Sequence, residues 1–198
     1  MSTLILASAS AVRARLLRQA GVTLEIHPAK IDESEVKRSM SAKKLGADAI
    51  SGALAELKAV RVSAAYPNGL VLGCDQILEF DGRLIDKAAN LTEARALLRE
   101  LRGKEHSLVT ACVLAKDGAP VWRRLERCKL WMRPFGDEFL DEYLQAEGDD
   151  VLGSVGCYHL EGRGIQLFER VEGDYFSVLG LALIPLLAAL REHGIIER

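Results

Sequence analysis

Two hairpin turns constrain the fold of this chain more than any other feature of its sequence. Asp117-Gly118 separates the strand-like stretches 106–114 and 121–132, and Asp81-Gly82 separates the stretches 70–80 and 83–85. An Asp-Gly pair between two such stretches is typical of a β-hairpin, whose strands are antiparallel. Because segments of helical periodicity are intermixed with these strands, we predict an α/β fold with a mixed sheet and flanking helices, not a doubly wound parallel sheet.

The other elements are predicted from the period of the apolar residues and from turn residues. We expect further strands over residues 4–7, 22–26 and 165–171, helices over 11–20, 43–65, 92–101, 137–145 and 179–192, and loops over 31–40 and 148–164. Thr92 is the expected cap of its helix. We find no repeat, linker or low-complexity tract, so residues 1–198 are predicted to form one domain.

Composition narrows the function classes. The 26 basic and 28 acidic residues give a net charge of −2, which favours neither nucleic acid nor an anionic membrane surface as a partner. The four cysteines form no C-x-x-C pair, so we expect reduced thiols and no structural zinc. The apolar run at residues 4–7 is too short for a signal peptide or a membrane span, and a cytoplasmic protein is expected.

Ser8, Ser10 and Arg13 lie where the first strand meets the first helix. Unpaired backbone N–H groups and the helix dipole favour an anion there, and hydroxyl and guanidinium groups extend such a site towards phosphate oxygens. The alternative is that Ser10 only caps the helix and the arginines are solvated. The segment is not a Walker loop, since G-x-x-x-x-G-K-[ST] is absent.

Asp75 interrupts an otherwise apolar strand. A buried carboxylate costs several kcal/mol unless a cation or a metal compensates for it, so such a placement indicates function. The alternative is a solvated Asp at a hairpin corner.

Several other charged residues are weaker candidates on their own. Lys58 and Lys87 could complete a phosphate site, although most lysines are only solvated. Asp32 and Glu33 offer oxygen ligands to a divalent ion, although a charged loop needs no such role. Glu161 lies in the Gly-rich segment 156–164, which could let backbone approach a ligand. No nucleophile signature accompanies the four histidines, so covalent catalysis is not indicated.

Taken in order, these segments resemble the Maf family of nucleoside triphosphate pyrophosphatases, also named septum-formation inhibitors, over nearly the whole chain. The matching segments are Leu6-Ala7-Ser8-Ala9-Ser10-x-x-Arg13, Asp32-Glu33, Leu54-Ala55-x-x-Lys58-Ala59, Gly73-x-Asp75 and Gly103-x-x-His106-x-x-x-Thr110. Asp75-Gln76 and the segment from Glu161 to Arg170 are most similar to the branch with 7-methyl-GTP pyrophosphatase activity. The resemblance therefore implies that Gln76 and Glu161 select the base.

The resemblance also implies a fold like that of the inosine-triphosphate pyrophosphatases (Maf/Ham1), with an elongated mixed sheet in two lobes around a nucleotide cleft. It implies metal-assisted hydrolysis between the α- and β-phosphates, with Asp75 as general base and Ser8, Ser10, Arg13, Lys58 and Lys87 on the phosphates. Glu33 and Asp75 would hold the cation, Mg²⁺ or Mn²⁺, and a homodimer follows by family analogy only.

The sequence departs from the family pattern at several positions. Val12 stands where a paired arginine is usual, and Ala88 and Ala182 stand where proline is usual. Tyr158-His159 differs from both branches of the family, so the exact nucleotide stays open. Two other functions stay open: a nucleotide-binding regulator of cell division or septum formation without turnover, and a generic phosphate-ester hydrolase. The first would release no pyrophosphate, and the second would release orthophosphate first.

Overall fold

The computed structural model describes residues 3–197, and these fall into two compact units. The first unit contains the described residues up to Gln76, together with Thr110–Glu126 and the residues from Tyr175 onwards. The second unit contains Ile77–Val109 and Arg127–Asp174. Whether the chain behaves as one domain stays a prediction.

The strands form one mixed sheet, as the hairpin turns predict. They are β1 (Leu4–Leu6), β2 (Leu24–Ile26), β3 (Leu70–Phe80), β4 (Arg83–Ile85), β5 (Glu105–Lys116), β6 (Ala119–Met132) and β7 (Phe168–Glu172). Their order is β2-β1-β3-β5-β6-β7, with β4 paired to β3 off this path. Strand β1 is parallel to β2 and β3, whereas the β3–β4 and β6–β7 pairs are antiparallel.

Seven helices accompany these strands within residues 3–197. They are α1 (Ala11–Gln19), α2 (Glu33–Ala42), α3 (Ala47–Ser63), α4 (Leu91–Leu101), α5 (Asp137–Glu147), α6 (Tyr175–Val178) and α7 (Leu183–Glu192). Two short 3₁₀ segments, Gly148–Gly153 and Arg163–Leu167, add to them. No helix in this part of the chain is long and apolar enough to cross a membrane.

The first unit is built around a leucine-rich core between β1, β3, α1 and α7. Its fully buried members include Leu4, Leu6, Leu17, Leu72 and Leu186. A second, smaller cluster of small side chains lies under α3, where Ala55 and Ala59 pack against Ala111, Val113 and Ala115. Small side chains let the helix approach the strands closely, which positions the candidate site described below.

In the second unit, helices α4 and α5 pack together and are joined by charge pairs. Arg95 Nε lies 2.5 Å from Asp141 Oδ1, and Arg102 Nη1 lies 2.8 Å from Asp137 Oδ1. Leu98 and Leu140 are fully buried on these two helices. The pairs are partly exposed, so burial of the apolar residues contributes most of the packing energy.

The prediction of a loop over residues 31–40 is wrong, because α2 occupies Glu33–Ala42. Asp32 caps this helix, its Oδ1 accepting from Glu35 N at 2.9 Å, and acidic residues in the first turn suit the helix dipole. None of the ten residues of α2 is buried. Val36 and Met40, one turn apart and half-buried, are its only large apolar side chains, which is too weak a pattern to predict a helix.

Smaller corrections concern where helices and strands begin. Asn90 rather than Thr92 caps α4, through Glu93 N at 2.9 Å. Helix α3 begins at Ala47, after a turn in which Lys44 has a positive φ of 59°. The predicted helix 179–192 begins only at Leu183, after a turn at Gly180, whose φ of 89° lies in the left-handed region. Residues 163–167 are 3₁₀ turns, so β7 begins only at Phe168.

Candidate active site

The segment between β1 and α1 holds two serines in defined positions. Ser10 caps α1, its Oγ accepting from Arg13 N at 3.3 Å. Ser8 Oγ accepts from Ser10 N at 3.3 Å. Ser10 therefore caps α1, and since both hydroxyls are only half-buried, a cap and a ligand contact are compatible.

Arg13 is tied to three parts of the first unit. Its Nη1 donates to Ser8 Oγ at 3.1 Å and to Cys74 O at 3.3 Å, and its Nε donates to Gly180 O at 2.7 Å. A Cβ at Gly180 would lie 3.2 Å from Nη2 of this arginine, so any side chain at position 180 would crowd the guanidinium. These bonds fix a positive charge beside the Ser8 hydroxyl and next to the middle of β3.

Asp75 is buried in the middle of β3, which excludes the solvated hairpin corner. Its Oδ1 lies 2.6 Å from Lys58 Nζ, and the two side chains are only 6% and 10% exposed. Lys58 Nζ also lies 2.9 Å from Glu33 Oε1, on the exposed helix α2. The structure therefore joins Glu33, Lys58 and Asp75 in one chain of ion pairs, with the ammonium between the two carboxylates.

Gly73 explains how α3 brings Lys58 to this place. A Cβ at Gly73 would lie 2.2 Å from Ala55 O and 2.6 Å from Ala59 N. Only a glycine permits so close a contact between helix and strand. Lys58 lies between these two alanines in sequence and therefore reaches the carboxylate two residues further along β3.

Two opposed effects set the protonation of Asp75. Burial raises the pKa of its carboxyl above the ordinary value, while the Lys58 ammonium and, less strongly, the Arg13 guanidinium oppose this rise. Glu33 adds a small raising effect on the same pKa. A carboxylate with a raised pKa is a better proton acceptor than an exposed aspartate, which suits a general base.

The donor set can be compared with what a divalent cation needs. Asp75 Oδ2 is buried and has no hydrogen-bond partner within residues 3–197. Across the same residues there is no group of three or more His, Cys, Asp or Glu side chains able to hold a metal ion. Mg²⁺ commonly takes one or two carboxylates and completes its shell with phosphates and water. The residues present fit a cation that shares a phosphate ligand, not one held by the protein alone.

Gln76 follows Asp75 but lies in a different set of contacts. Its Nε2 lies 2.9 Å from Thr110 Oγ1, 3.1 Å from Ser177 O and 3.0 Å from Val178 O. The segment from Ser177 to Gly180, which ends α6 and turns towards α7, thus accepts from both Gln76 and Arg13. Sequence reasoning missed this turn, and its one available signal is the glycine within the apolar run 178–183.

Comparison with known proteins now identifies the family. The Maf-like protein family model matches residues 3–193. The chain belongs to the Maf-like family. This result confirms the resemblance that the ordered motifs indicate.

Relatives of this chain match it over nearly its whole length, and two of them illustrate the range of names. One is the nucleoside triphosphate pyrophosphatase of Granulibacter bethesdensis, 53% identical over 190 residues, with 96% of each chain covered. The other is the 7-methyl-GTP pyrophosphatase of Rhizobium etli, 43% identical over 194 residues, with 98% of each chain covered. Among solved structures, a HAM1 protein from Coxiella burnetii covers 67% of this chain and 73% of its own at 16% identity, with a TM-score of 0.43, too weak a likeness to carry any argument.

The remaining predicted site residues of this Maf-like chain belong to the second unit. Lys87 follows β4 and Glu161 precedes the 3₁₀ segment Arg163–Leu167, and both are exposed. Each makes at least one polar or electrostatic interaction. Their roles towards phosphate and base stay predictions, as do those of Ser8, Ser10, Arg13 and the other site residues.

The position of Val12, where the family usually has an arginine, is partly buried against the leucine-rich core. An apolar side chain there adds packing, and Arg13 and Arg15 remain as basic residues of α1. The structure gives Ala182 a fully buried place at the start of α7.

The second unit also contains a buried histidine from one of the matching motifs. His106 Nε2 lies 2.7 Å from Tyr158 Oη, and its Nδ1 has no partner among the described residues. Burial lowers the pKa of His106 to about 4, so its ring is neutral at neutral pH. A neutral ring cannot balance phosphate charge, and the residue contributes to packing with Tyr158 and Phe168.

Proposed function

We propose that this Maf-like chain is a nucleoside triphosphate pyrophosphatase, which hydrolyses its substrate to a nucleoside monophosphate and pyrophosphate. The single observation that carries the proposal is the Asp75 carboxylate, buried in β3 with Lys58 on Oδ1 and with Oδ2 unpartnered among the described residues. The names of the two relatives support the same reaction.

Asp75 acts as the general base in this proposal. Its carboxylate accepts a proton from the water that attacks the α-phosphorus in line. A bond forms between the water oxygen and the α-phosphorus, and the bond from the α-phosphorus to the bridging oxygen breaks. Pyrophosphate leaves with that oxygen, and the monophosphate keeps the new one.

Ser8, Ser10, Arg13 and Lys58 of the first unit are the proposed ligands of phosphate oxygens. Lys87 is a further proposed phosphate ligand. Lys58 has a double role, since its ammonium both orients the Asp75 carboxylate and neutralises charge that develops on the phosphates. Arg13 holds the Ser8 hydroxyl in place through Nη1.

A divalent cation, Mg²⁺ or Mn²⁺, when bound, would neutralise the phosphates and favour in-line displacement. Asp75 and Glu33 are the protein ligands that we propose for it. Gln76 and Glu161 are the proposed selectors of the base, and a modified nucleotide such as 7-methyl-GTP is the proposed preference.

The proposal also places the reaction in the cytoplasm. All four cysteines, Cys74, Cys112, Cys128 and Cys157, are free and buried, which suits a reducing compartment.

The decisive experiment is a panel of canonical and modified nucleoside triphosphates, including 7-methyl-GTP, with Mg²⁺ or Mn²⁺. Pyrophosphate and orthophosphate are measured separately. We expect pyrophosphate as first product, and we expect Asp75→Asn to lower kcat by about 100-fold or more while nucleotide binding by calorimetry is kept.

Other outcomes would point elsewhere. Orthophosphate as first product would indicate a generic phosphate-ester hydrolase. Binding without turnover across the whole panel would indicate a nucleotide-binding regulator of division. Near-wild-type turnover by Asp75→Asn would remove the assignment of the base.

A further inference from the structure

The amide group of Gln76 is held in one orientation by the first unit. Its Nε2 faces two backbone carbonyls, Ser177 O at 3.1 Å and Val178 O at 3.0 Å. A carbonyl oxygen only accepts hydrogen bonds, so the amide nitrogen, which donates, must be the atom on this side. A flipped amide would place its oxygen against two carbonyl oxygens, which is unfavourable.

Thr110 completes this arrangement from β5. It is fully buried, and its Oγ1 donates its single proton to Ser177 O at 2.8 Å. Having no second proton, Oγ1 can only accept from Gln76 Nε2, which lies 2.9 Å away. The threonine therefore selects the same orientation of the amide as the two carbonyls.

Because Nε2 of Gln76 already donates to these acceptors, Oε1 is the atom of the side-chain amide that can still form a hydrogen bond. None of the hydrogen bonds formed by Gln76 within residues 3–197 involves this oxygen, and it is not among the buried polar atoms without a partner. An accessible amide oxygen beside Asp75 is an acceptor that a ligand can use.

We propose that Thr110 is a positioning residue, which holds Gln76 so that Oε1 accepts a hydrogen bond from an N–H or O–H group of the nucleotide. The inference rests on the proposed function, because it takes Gln76 to contact the substrate. Thr110 itself touches no substrate. Selectivity at this position then depends on the network of Thr110, Ser177 and Val178 as much as on Gln76.

The test compares Thr110→Val, which keeps the shape and removes the hydroxyl, with Thr110→Ser, which keeps the hydroxyl. The first readout is the hydrogen exchange of the Gln76 side-chain NH₂ by NMR, assigned from its loss in Gln76→Met. We expect faster exchange in Thr110→Val and recovery in Thr110→Ser.

The second readout is kcat and KM for the preferred nucleoside triphosphate and the next best one. We expect Thr110→Val to reduce the ratio of their kcat/KM values by about three- to tenfold, the worth of one hydrogen bond, through KM more than kcat. Thr110→Ser should recover most of it. A loss that is equal in kcat for both substrates would indicate a structural role only and would overturn the proposal.

The two readouts separate this inference from the proposed function. Unchanged NH₂ exchange in Thr110→Val would overturn the positioning role, whatever the activity. Changed exchange with an unchanged substrate ratio would overturn the link to selectivity. If the wild type turns over no nucleoside triphosphate, the proposed function fails while the exchange measurement still decides the orientation.

If Thr110→Val does not fold, a second variant, Gln76→Glu, tests the same orientation of residue 76. Gln76→Glu keeps the shape but places a carboxylate oxygen against the carbonyls of Ser177 and Val178, so the side chain should leave its place. We expect the same loss of substrate ratio in Gln76→Glu. A folded Gln76→Glu with wild-type selectivity would overturn the proposal.

Discussion

Helices α2 and α3 contribute to the same chain of ion pairs but are held in place by different forces. Helix α3 buries Ile50, Leu54, Ala55 and Ala59 completely and touches β3 at Gly73. Helix α2 buries none of its ten residues; Asp32 caps it, and the Glu33–Lys58 pair joins it to α3.

This difference separates what is fixed from what is adjustable at the site. Displacing α3 would expose apolar surface and open voids, which costs much free energy. Lys58 is therefore held firmly beside Asp75. Displacing α2 would break mainly the Glu33–Lys58 pair, whose Glu33 side chain is half-exposed, and ion pairs open to solvent are worth about 0 to 1 kcal/mol. We therefore expect changes on α3 and at its contact with β3 to have large effects and changes on α2 to have small ones.

The largest effect is expected from Lys58→Met, which keeps the length of the side chain but removes the charge from Asp75 and from the phosphates. We expect kcat/KM to fall by about 100-fold or more, because a buried electrostatic donor is lost. Steady-state pyrophosphate release measures it. Lys43→Met, at an exposed lysine next to α2, is the control and should retain activity.

The same variant makes a second measurement possible, the pH dependence of the residual activity. Asp75 must be ionised to accept a proton, so activity is lost as the pH falls through its pKa. Burial already raises this pKa and Lys58 is the largest opposing influence. Removing Lys58 should raise the pKa of Asp75 further and move the acid limb of the kcat/KM profile to higher pH. An acid limb that stays in place would contradict the assignment of Asp75.

How much of the fold and of the candidate site can be predicted from the sequence depends on whether the residues concerned leave a pattern of charged and apolar side chains. Asp75 is detectable because a carboxylate within an apolar strand requires compensation, whereas Lys58 is detectable only through its place in the ordered motifs. The mixed sheet is detectable from its Asp-Gly turns. Helix α2 is not, since Val36 and Met40 are its only large apolar side chains and neither is fully buried.

The Ser177–Gly180 turn is hidden for another reason. It acts through backbone carbonyls, which every residue possesses, so its side chains carry no sign of the role. The orientation of Gln76 depends on that turn and on Thr110, residues that are 101 and 34 positions away in sequence. Pairings over such separations appear only in the folded chain.

The next effect in size is expected from Gly73→Ala, which tests the contact between α3 and β3. The added Cβ would overlap Ala55 O and Ala59 N, so the helix must shift, at a cost of about 1 to 3 kcal/mol or more in the free energy of unfolding. Denaturant titration measures it, and kcat/KM should fall as well because Lys58 moves with the helix.

Gly52→Ala is the matched control on the same helix, because a Cβ there meets nothing within 4 Å. It should stabilise the protein by roughly 0.5 to 1 kcal/mol, as alanine favours a helix over glycine. Equal effects of the two substitutions would mean that the close contact at Gly73 does not hold α3.

The smallest effect is expected from Glu33→Gln, the test of α2. Its side chain is about half exposed, so the free energy of unfolding should change by about 1 kcal/mol or less. Glu33 also raises the pKa of Asp75 slightly, so the acid limb of the kcat/KM profile should move to lower pH in Glu33→Gln.

The informative measurement on Glu33→Gln is the concentration of Mg²⁺ or Mn²⁺ that gives half-maximal activity. If Glu33 is a ligand of the cation, its loss raises that concentration. If Glu33 only pairs with Lys58, the concentration stays unchanged. A large loss of stability in Glu33→Gln would show that α2 is held as firmly as α3, and the contrast between the two helices would be wrong.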